Sequence, residues 1–477
     1  MAVVDAGRLA ALVGALGAER PPLYDALARR LRLLVGDGRL PVGVRLPAER
    51  DLAAALHVSR ATVTAAYGRL RDDGWAVARQ GSGTWTRLPA GPDLGAWVLT
   101  PPEEGVLDLA HAAPAAAPPE IPAAFHAALQ DLPRVLPTHG YYPHGLPDLR
   151  ARLAERFTAR GLPTKPEQVV VTGGALSACV AALSALAGRG DRVLVEHPSY
   201  PNVLDAIVAQ GSRLLPVAVD AADPDALARD VLRAAREARP AAAYLMPDFQ
   251  NPTGLLLDEA QRRRLAVALE QCGTTAVVDE TLVDLGLDAQ PEVPFGACGR
   301  PELVVTVGTT SKAFWGGLRV GWLRAEPELA RTLANAVTRT QLGTPVLEQL
   351  AVCHLLDAAD EVLAAHRTRL RRQRDVLVAA LAERLPDWRV RVPAGGLVLW
   401  CELPAAASNA LVSEAATRGL RLAAGPRFGT GHAFEDRLRL PYSQPADVLV
   451  RAVHLLAQSW ASLGPRTAAE TSRELVV

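Results

Sequence analysis

Lys312, in the stretch "TVGTTSKAFWGGLRVGW" (306–322), is one of only two lysines in this chain. Lysine and arginine together number 51, so 49 of these basic residues are arginine. Arginine serves wherever a positive charge is enough, but its guanidinium does not lose a proton to become an amine nucleophile. A lysine kept here points to chemistry at nitrogen, with a Schiff base as the usual form. The other lysine, Lys165 of "GLPTKPEQ", reads as a surface residue. Residues of matching chemistry follow other apolar runs. Gly173-Gly174 precede a helical pattern, and a glycine turn at a helix N-terminus cradles phosphate with backbone N–H groups. Thr309 and Ser311 offer hydroxyls, and Arg319 a fixed positive charge. Asp279 ends "TTAVVD", where an unpaired carboxylate is costly and a pyridinium N–H would satisfy it. Tyr200 offers a ring to stack on, and Asn251 an amide for a phenolic oxygen. Singly, each has a plain alternative: Asp279 as a salt-bridge partner, Tyr200 as packing, Gly173 as an ordinary turn. In sequence order they describe a Schiff-base lysine, a pyridinium partner and a phosphate cup, the requirements of pyridoxal 5'-phosphate.

Such residues must be carried to one place by a scaffold. From about residue 123 to 464, apolar β-type runs alternate with helical patterns: "QVVVTGG" then "ALSACVAALSALAG", "RVLVEHPSYPN" then a helix, "AAAYLMPDFQNPTG" then "LDEAQRRRLAVALEQ", and further on "TTAVVDE" and "LVVTVGTTSK". This alternation predicts an α/β domain whose mixed, mostly parallel sheet is covered on both faces. Ligands gather beyond the carboxyl ends of such strands. The polar residues that follow the runs are therefore expected to converge.

The first part of the chain has a different pattern. Apolar residues at Leu23, Leu27, Leu31, Leu34 and Val35 predict a helix stopped by Gly36 and Gly38. A short helix over "LPAERDLAAAL" follows, then a tight turn at His57 and Val58, then a second helix capped by Ser59 with Val63, Tyr67 and Leu70 facing inward. Two β-type runs around Gly-Ser-Gly complete a winged helix-turn-helix, placed at residues 20–88. In this geometry the start of the second helix, with Arg60, Thr62 and Thr64, enters the major groove of DNA. Residues 20–88 hold 12 Arg against 6 Asp and Glu, a net of +6 in a chain whose net charge is zero. That asymmetry suits a module that meets a polyanion. Residues 89–122, rich in Pro and Ala, are expected to form a semi-extended linker, and residues 465–477 a flexible tail.

Composition narrows the class. The 477 residues are 49% hydrophobic and 21% charged, enough for two or three domains. No apolar stretch approaches the roughly 18 residues of a membrane span, and the N-terminus lacks a signal-peptide layout. Five cysteines without C-x-x-C spacing fit a reduced, cytoplasmic protein without a structural zinc site or other metal.

Two resemblances sharpen these expectations. "PLYDALARRLR", "RLPAERDLAAAL", "VSRATVTAAYGRL" and "GSGT" are similar, in order and spacing, to the winged helix of GntR-superfamily repressors. That resemblance implies DNA contacts by Arg50, Arg60, Thr62 and Thr64, with Gln80 and Gly81 at the wing tip and Arg45 as a further phosphate contact. "YYPHGLPDLR", "VVVTGGALSA", "VEHPSYPN", "PDFQNPTG", "VVDE", "GTTSKAFWGGLRVGW" and "LRLPYS" resemble fold-type I, class I/II aminotransferases. Joined, the two parts resemble MocR-type, GabR-like regulators. The resemblance implies that Lys312 binds the cofactor covalently, Asp279 meets its ring nitrogen and Asn251 its phenolic oxygen. It also implies that Tyr200 stacks, that Thr309 and Arg319 hold phosphate, and that Arg439 grips an effector carboxylate. It implies a homodimer as well. Two positions depart from the pattern. Thr281 stands where relatives have Tyr, and the phosphate turn reads Gly173-Gly174-Ala175-Leu176, leaving the backbone amides of Gly174 and Ala175 to serve.

The sequence thus points to a regulator that binds double-stranded operator DNA and senses a small amine or amino acid through pyridoxal phosphate. A working aminotransferase with a DNA-binding appendage is the rival reading. A sensor of the cofactor alone is a third.

Overall fold

The computed structural model describes residues 4–14, 22–36, 40, 44–73, 75–79, 83–86, 105–116, 119–430 and 433–464. They belong to two compact units, Met1–Pro101 and Pro102–Val477.

In the first unit, α1 (Ala6–Val13), α2 (Leu23–Gly36), α3 (Glu49–Leu56) and α4 (Arg60–Asp72) are followed by a hairpin of β1 (Ala76–Arg79) and β2 (Gly83–Thr86). His57, at φ 54° in the left-handed region, turns the chain out of α3. Ser59 then caps α4, its side chain accepting from Thr62 N at 3.1 Å. Val63, Tyr67 and Leu70 are buried, and the Tyr67 hydroxyl donates to Pro47 O at 3.1 Å. The unit begins earlier than residue 20. In α1, capped by Asp5, Leu9 and Val13 join the same apolar core as Leu27, Leu31, Leu52 and Val63. Three helices alone would leave that face of the core wet, and α1 covers it.

The second unit is built on a seven-stranded sheet of β4 (Val169–Thr172), β5 (Arg192–His197), β6 (Arg213–Ala218), β7 (Ala242–Leu245), β8 (Thr275–Asp279), β9 (Val304–Thr309) and β10 (Gly321–Arg324). The order is β4-β10-β9-β8-β7-β5-β6, with β10 antiparallel to both its neighbours and the other pairs parallel. Helices α7 (Ala175–Leu186), α8 (Pro201–Ala209), α9 (Ala226–Ala238), α10 (Glu259–Glu270) and α11 (Pro327–Thr338) follow strands and bury apolar residues. β4, β7, β8, β9 and β10 are mostly apolar and almost wholly buried, as expected for a covered sheet. The remaining helices are α5 (Glu120–Asp131), α6 (Pro147–Ala159), α12 (Val346–Asp357), α13 (Ala359–Arg384), α14 (Ser408–Thr417) and α15 (Ala446–Leu463). The last three share a core with a smaller antiparallel sheet of β11 (Arg389–Val390), β12 (Val398–Glu402), β14 (Ala423–Ala424) and β15 (Arg437–Pro441).

One part of the expected linker is not a tether. β3 (Leu107–Asp108) pairs in parallel with β13 (Leu420–Arg421), and Leu109 and Ala110 are buried. Pro and Ala lower the capacity to build a core, but two strand residues and one leucine suffice to fasten onto an existing one. The expected tail after Gly464 lies outside the described residues. Among the described residues, no helix is long and apolar enough to cross a membrane, and no cluster of His, Cys, Asp and Glu could hold a metal. All five cysteines are free.

Candidate functional site

The large sheet delivers its strand ends to one edge. β8 ends at Asp279, β9 at Thr309 three residues before Lys312, β5 runs into His197–Tyr200, and β7 into the turn with Asn251. Lys312 is half-buried and its Nζ donates to Ala112 O at 2.7 Å. Burial first, then the Arg439 cation, bring its pKa down to about 8, with Arg319 adding to this and Asp279 opposing it. The amine thus lies within electrostatic reach of Asp279, Arg319 and Arg439.

Asp279 is buried, which raises its pKa, while the Tyr244 hydroxyl donates to it at 2.7 Å and Thr281 N at 2.9 Å. Both donors fix the carboxylate's plane and leave it lone pairs for a further N–H. Tyr200 precedes α8, and its hydroxyl accepts from Asn202 Nδ2 at 3.0 Å. Burial and then the Asp279 charge push the Tyr200 phenol up to about 12, so it stays neutral. Arg439 is buried on β15, its guanidinium 4.8 Å from the Phe428 ring centroid and hydrogen-bonded to Ala110 O. Burial lowers its pKa to about 10, and it remains a cation at neutral pH.

At the other end of the site, Gly174 heads α7 with φ +105°, and a Cβ there would lie 2.7 Å from Arg319 Nη2. Arg319 donates to Gly173 O at 2.8 Å. The first intrahelical bond runs from Ala178 N to Gly174 O, so the amides of Ala175 and Leu176 lie at the open end of the helix. Thr309 Oγ1 lies 3.0 Å from Val320 O and 3.1 Å from Ser311 Oγ, which commits its one proton within the protein and leaves Ser311 as the more available hydroxyl.

The arrangement fits a ring with a phosphate arm. Asn251 Oδ1 is buried without a hydrogen-bond partner among the described residues, a costly state that a hydrogen-bond donor on a ligand would relieve. The cup at Gly174 exists because no side chain fills it. The lysine amine is already poised to lose its proton. Thr281 bonds to Asp279 through its backbone N–H and also through its side chain, on the carboxylate side of the pocket.

Sequence reasoning missed four contributors. Tyr244, the Asp279 partner, was signalled only by being the one hydroxyl-bearing residue in "AAAYLM". The carbonyls of Ala110 and Ala112 belong to the main chain and carry no side-chain signal. Gln250, beside Asn251, bonds across to the loop of Tyr200.

On the first unit, Arg45, Arg50, Arg60 and Thr64 are exposed and Thr62 is half-buried. Arg50 Nε donates to Asp51 at 3.1 Å, and Arg45 bridges to Trp85 of the wing. Glu49 ties the start of α4: Thr64 Oγ1 donates to its carboxylate at 2.7 Å, and Arg60 Nε lies 3.7 Å from it. Thr64 can therefore offer DNA only its acceptor sites. Thr62 Oγ1 pairs with Ser59 Oγ at 2.8 Å. Gln80 and Gly81 lie outside the described residues.

Comparison with known proteins agrees with this division. Residues 11–85 match the model of bacterial regulatory proteins of the gntR family, and residues 115–455 that of aminotransferase class I and II. The chain is 30% identical over 459 residues to the HTH-type pyridoxine biosynthesis transcriptional regulator PdxR of Corynebacterium glutamicum, covering 89% of this chain and 95% of that protein. It is 29% identical over 448 residues to the uncharacterized HTH-type transcriptional regulator YdcR of Escherichia coli, covering 86% and 92%. Among solved structures it is similar to the α-aminoadipate aminotransferase LysN of Thermus thermophilus, complexed with N-(5'-phosphopyridoxyl)-L-leucine, at 31% identity and a TM-score of 0.69 over 76% of this chain and 93% of that one.

Proposed function

We propose, for a chain that belongs to the aminotransferase class I and II family and carries a gntR-family unit ahead of it, a transcription regulator that senses a small amine or amino acid. The first unit binds operator DNA, and the second holds pyridoxal 5'-phosphate on Lys312. The regulator acts in the cytoplasm as a homodimer, so that two winged units read two half-sites.

The observation that carries this reading is the convergence of Lys312, Asp279, Arg319 and Arg439 in one electrostatic neighbourhood at the strand ends. When bound, pyridoxal phosphate supplies a carbon electrophilic toward amines and an electron-poor ring. The protein's part is to bind and orient. Lys312 offers an amine that sheds its proton near neutral pH. Asp279, braced by Tyr244, accepts a ring N–H, and Asn251 meets the phenolic oxygen. Tyr200 would lie against the ring, while Arg319, the Ser311 hydroxyl and the amides of Gly174 and Ala175 would receive the phosphate, with Thr309 lining the cup and keeping its proton within the protein. Arg439 takes a carboxylate by a two-pronged charge-assisted contact.

The test uses DNA from upstream of the chain's own reading frame. Protein given pyridoxal phosphate should change its affinity for that DNA when amino acids are screened against it, and Lys312→Ala should abolish the response while leaving DNA binding intact. Tight DNA binding that neither cofactor nor any amine alters would overturn the sensing half. The rival reading, an aminotransferase with a DNA-binding appendage, draws on the likeness to LysN. Rapid multiple turnover with an amino acid and 2-oxoglutarate would replace the regulator reading with it.

A further inference from the structure

Tyr200 and Asn251 sit on separate loops, and one buried side chain joins those loops. β5 and β7 are parallel neighbours; Glu196 lies near the end of β5 and Gln250 beyond the end of β7, and each is 1% exposed. Gln250 Nε2 donates to Glu196 Oε2 at 3.1 Å and to Pro198 O at 2.7 Å. Its Oε1 accepts from Thr253 N at 3.0 Å and from Thr253 Oγ1 at 2.7 Å. Two donor and two acceptor contacts use the full capacity of a primary amide. The backbone closes the same turn, with Gln250 N donating to Leu255 O at 2.8 Å and Gly254 N to Gln250 O at 2.6 Å. Glu196 Oε1 in turn accepts from Met246 N at 3.1 Å.

The geometry decides what this amide controls. Asn251 and Pro252 are the residues enclosed between Gln250 and Thr253, so the turn that carries Asn251 is held at both ends. Pro198 lies two residues before Tyr200, so the same amide also holds the loop that carries the ring. We propose that Gln250 is a positioning residue of the cofactor pocket: it fixes Asn251 and Tyr200 relative to each other, and Glu196 anchors it from below. The proposal rests on the pyridoxal phosphate reading for its purpose, but the tie itself is a property of the protein alone.

A methionine at 250 has similar length and no hydrogen bonds. It would leave Glu196 Oε2, Pro198 O and the two Thr253 donors unpartnered in a buried place, which the loops could relieve only by moving apart. A milder change, Thr253→Val, removes one donor to Gln250 Oε1. In the full-length protein without cofactor, hydrogen exchange should rise in 196–201 and 249–256 together for Gln250→Met, and by less for Thr253→Val. With pyridoxal phosphate added, Gln250→Met should raise the Kd by about tenfold or more, the scale of losing one hydrogen bond to a charged group. It should also shift the pH midpoint of the visible absorbance band, because Asn251 no longer holds the phenolic oxygen. Should Gln250→Met fail to fold, Thr253→Val carries the same measurements. Wild-type exchange in 196–201 together with an unchanged band would overturn the proposal, even if the melting temperature fell. A wild-type protein with no visible band would instead overturn the cofactor reading, while hydrogen exchange in 196–201 and 249–256 would still decide the tie.

Discussion

Gly174→Ala separates the strain of a backbone from the loss of a ligand. At φ +105° and ψ 167° Gly174 occupies a region that L residues rarely enter, at a cost of about 1–3 kcal/mol. The added Cβ would also stand 2.7 Å from Arg319 Nη2, closer than real contacts allow, and a tight 3.1 Å from its Cζ. Arg319 is exposed and its guanidinium can swing away, so the clash is relieved by surrendering its 2.8 Å bond to Gly173 O. That exposed bond adds little stability, on the order of 0.5 kcal/mol. The swing matters more for binding, because it removes the cation from the cup and places a methyl among the amides that would receive phosphate. Losing one charge-assisted contact of about 1.5–3 kcal/mol predicts at least a tenfold rise in Kd for pyridoxal phosphate. Gly161→Ala is the control: φ is +92° and nothing lies within 4 Å of its Cβ, so it carries the strain without the clash. Urea unfolding should show similar destabilisation for both variants, while absorbance titration with pyridoxal phosphate should separate them. Equal cofactor affinity in the two would refute the phosphate cup at Gly174.

The amine of Lys312 should combine with added pyridoxal phosphate with a rate that rises as the neutral amine appears, with a midpoint near 8 where a free lysine has 10.5; borohydride trapping across pH reads this, and a midpoint above about 10 would contradict the buried, cation-flanked setting. Arg60→Ala should weaken binding to specific DNA by about 1–3 kcal/mol in fluorescence anisotropy if the guanidinium reads a guanine. Glu49→Gln, which removes the acid 3.7 Å from Arg60, should strengthen binding at low salt. Leu9→Ala should cost the first unit about 2–5 kcal/mol in calorimetry, whereas a silent change would mean that α1 is not part of its core. Thr281→Tyr should move the pH dependence of the visible band more than it moves DNA affinity.

Features tied to local spacing were legible. Ser59 as a cap, the inward Val63, Tyr67 and Leu70, and the polar residues that end β5, β8 and β9 all follow from patterns a few residues long. Lys312 stood out only because arginine fills nearly every other basic position. What escaped depends on distance along the chain. Gln250 meets a carboxylate 54 residues away, and Lys312 a carbonyl 200 residues away. No periodicity encodes such partners, since they are set by which strands lie side by side. The extent of both units was misjudged for a related reason. α1 and β3 are too short to announce themselves, and each is held by a core assembled from elsewhere.

The carbonyls of Ala110 and Ala112 tie two cations to one length of main chain. Each accepts one N–H, from Arg439 and from Lys312, out of the five that a guanidinium and the three that an ammonium can offer. The stretch that carries them continues from β3, so a shift of that strand would reach both cations together.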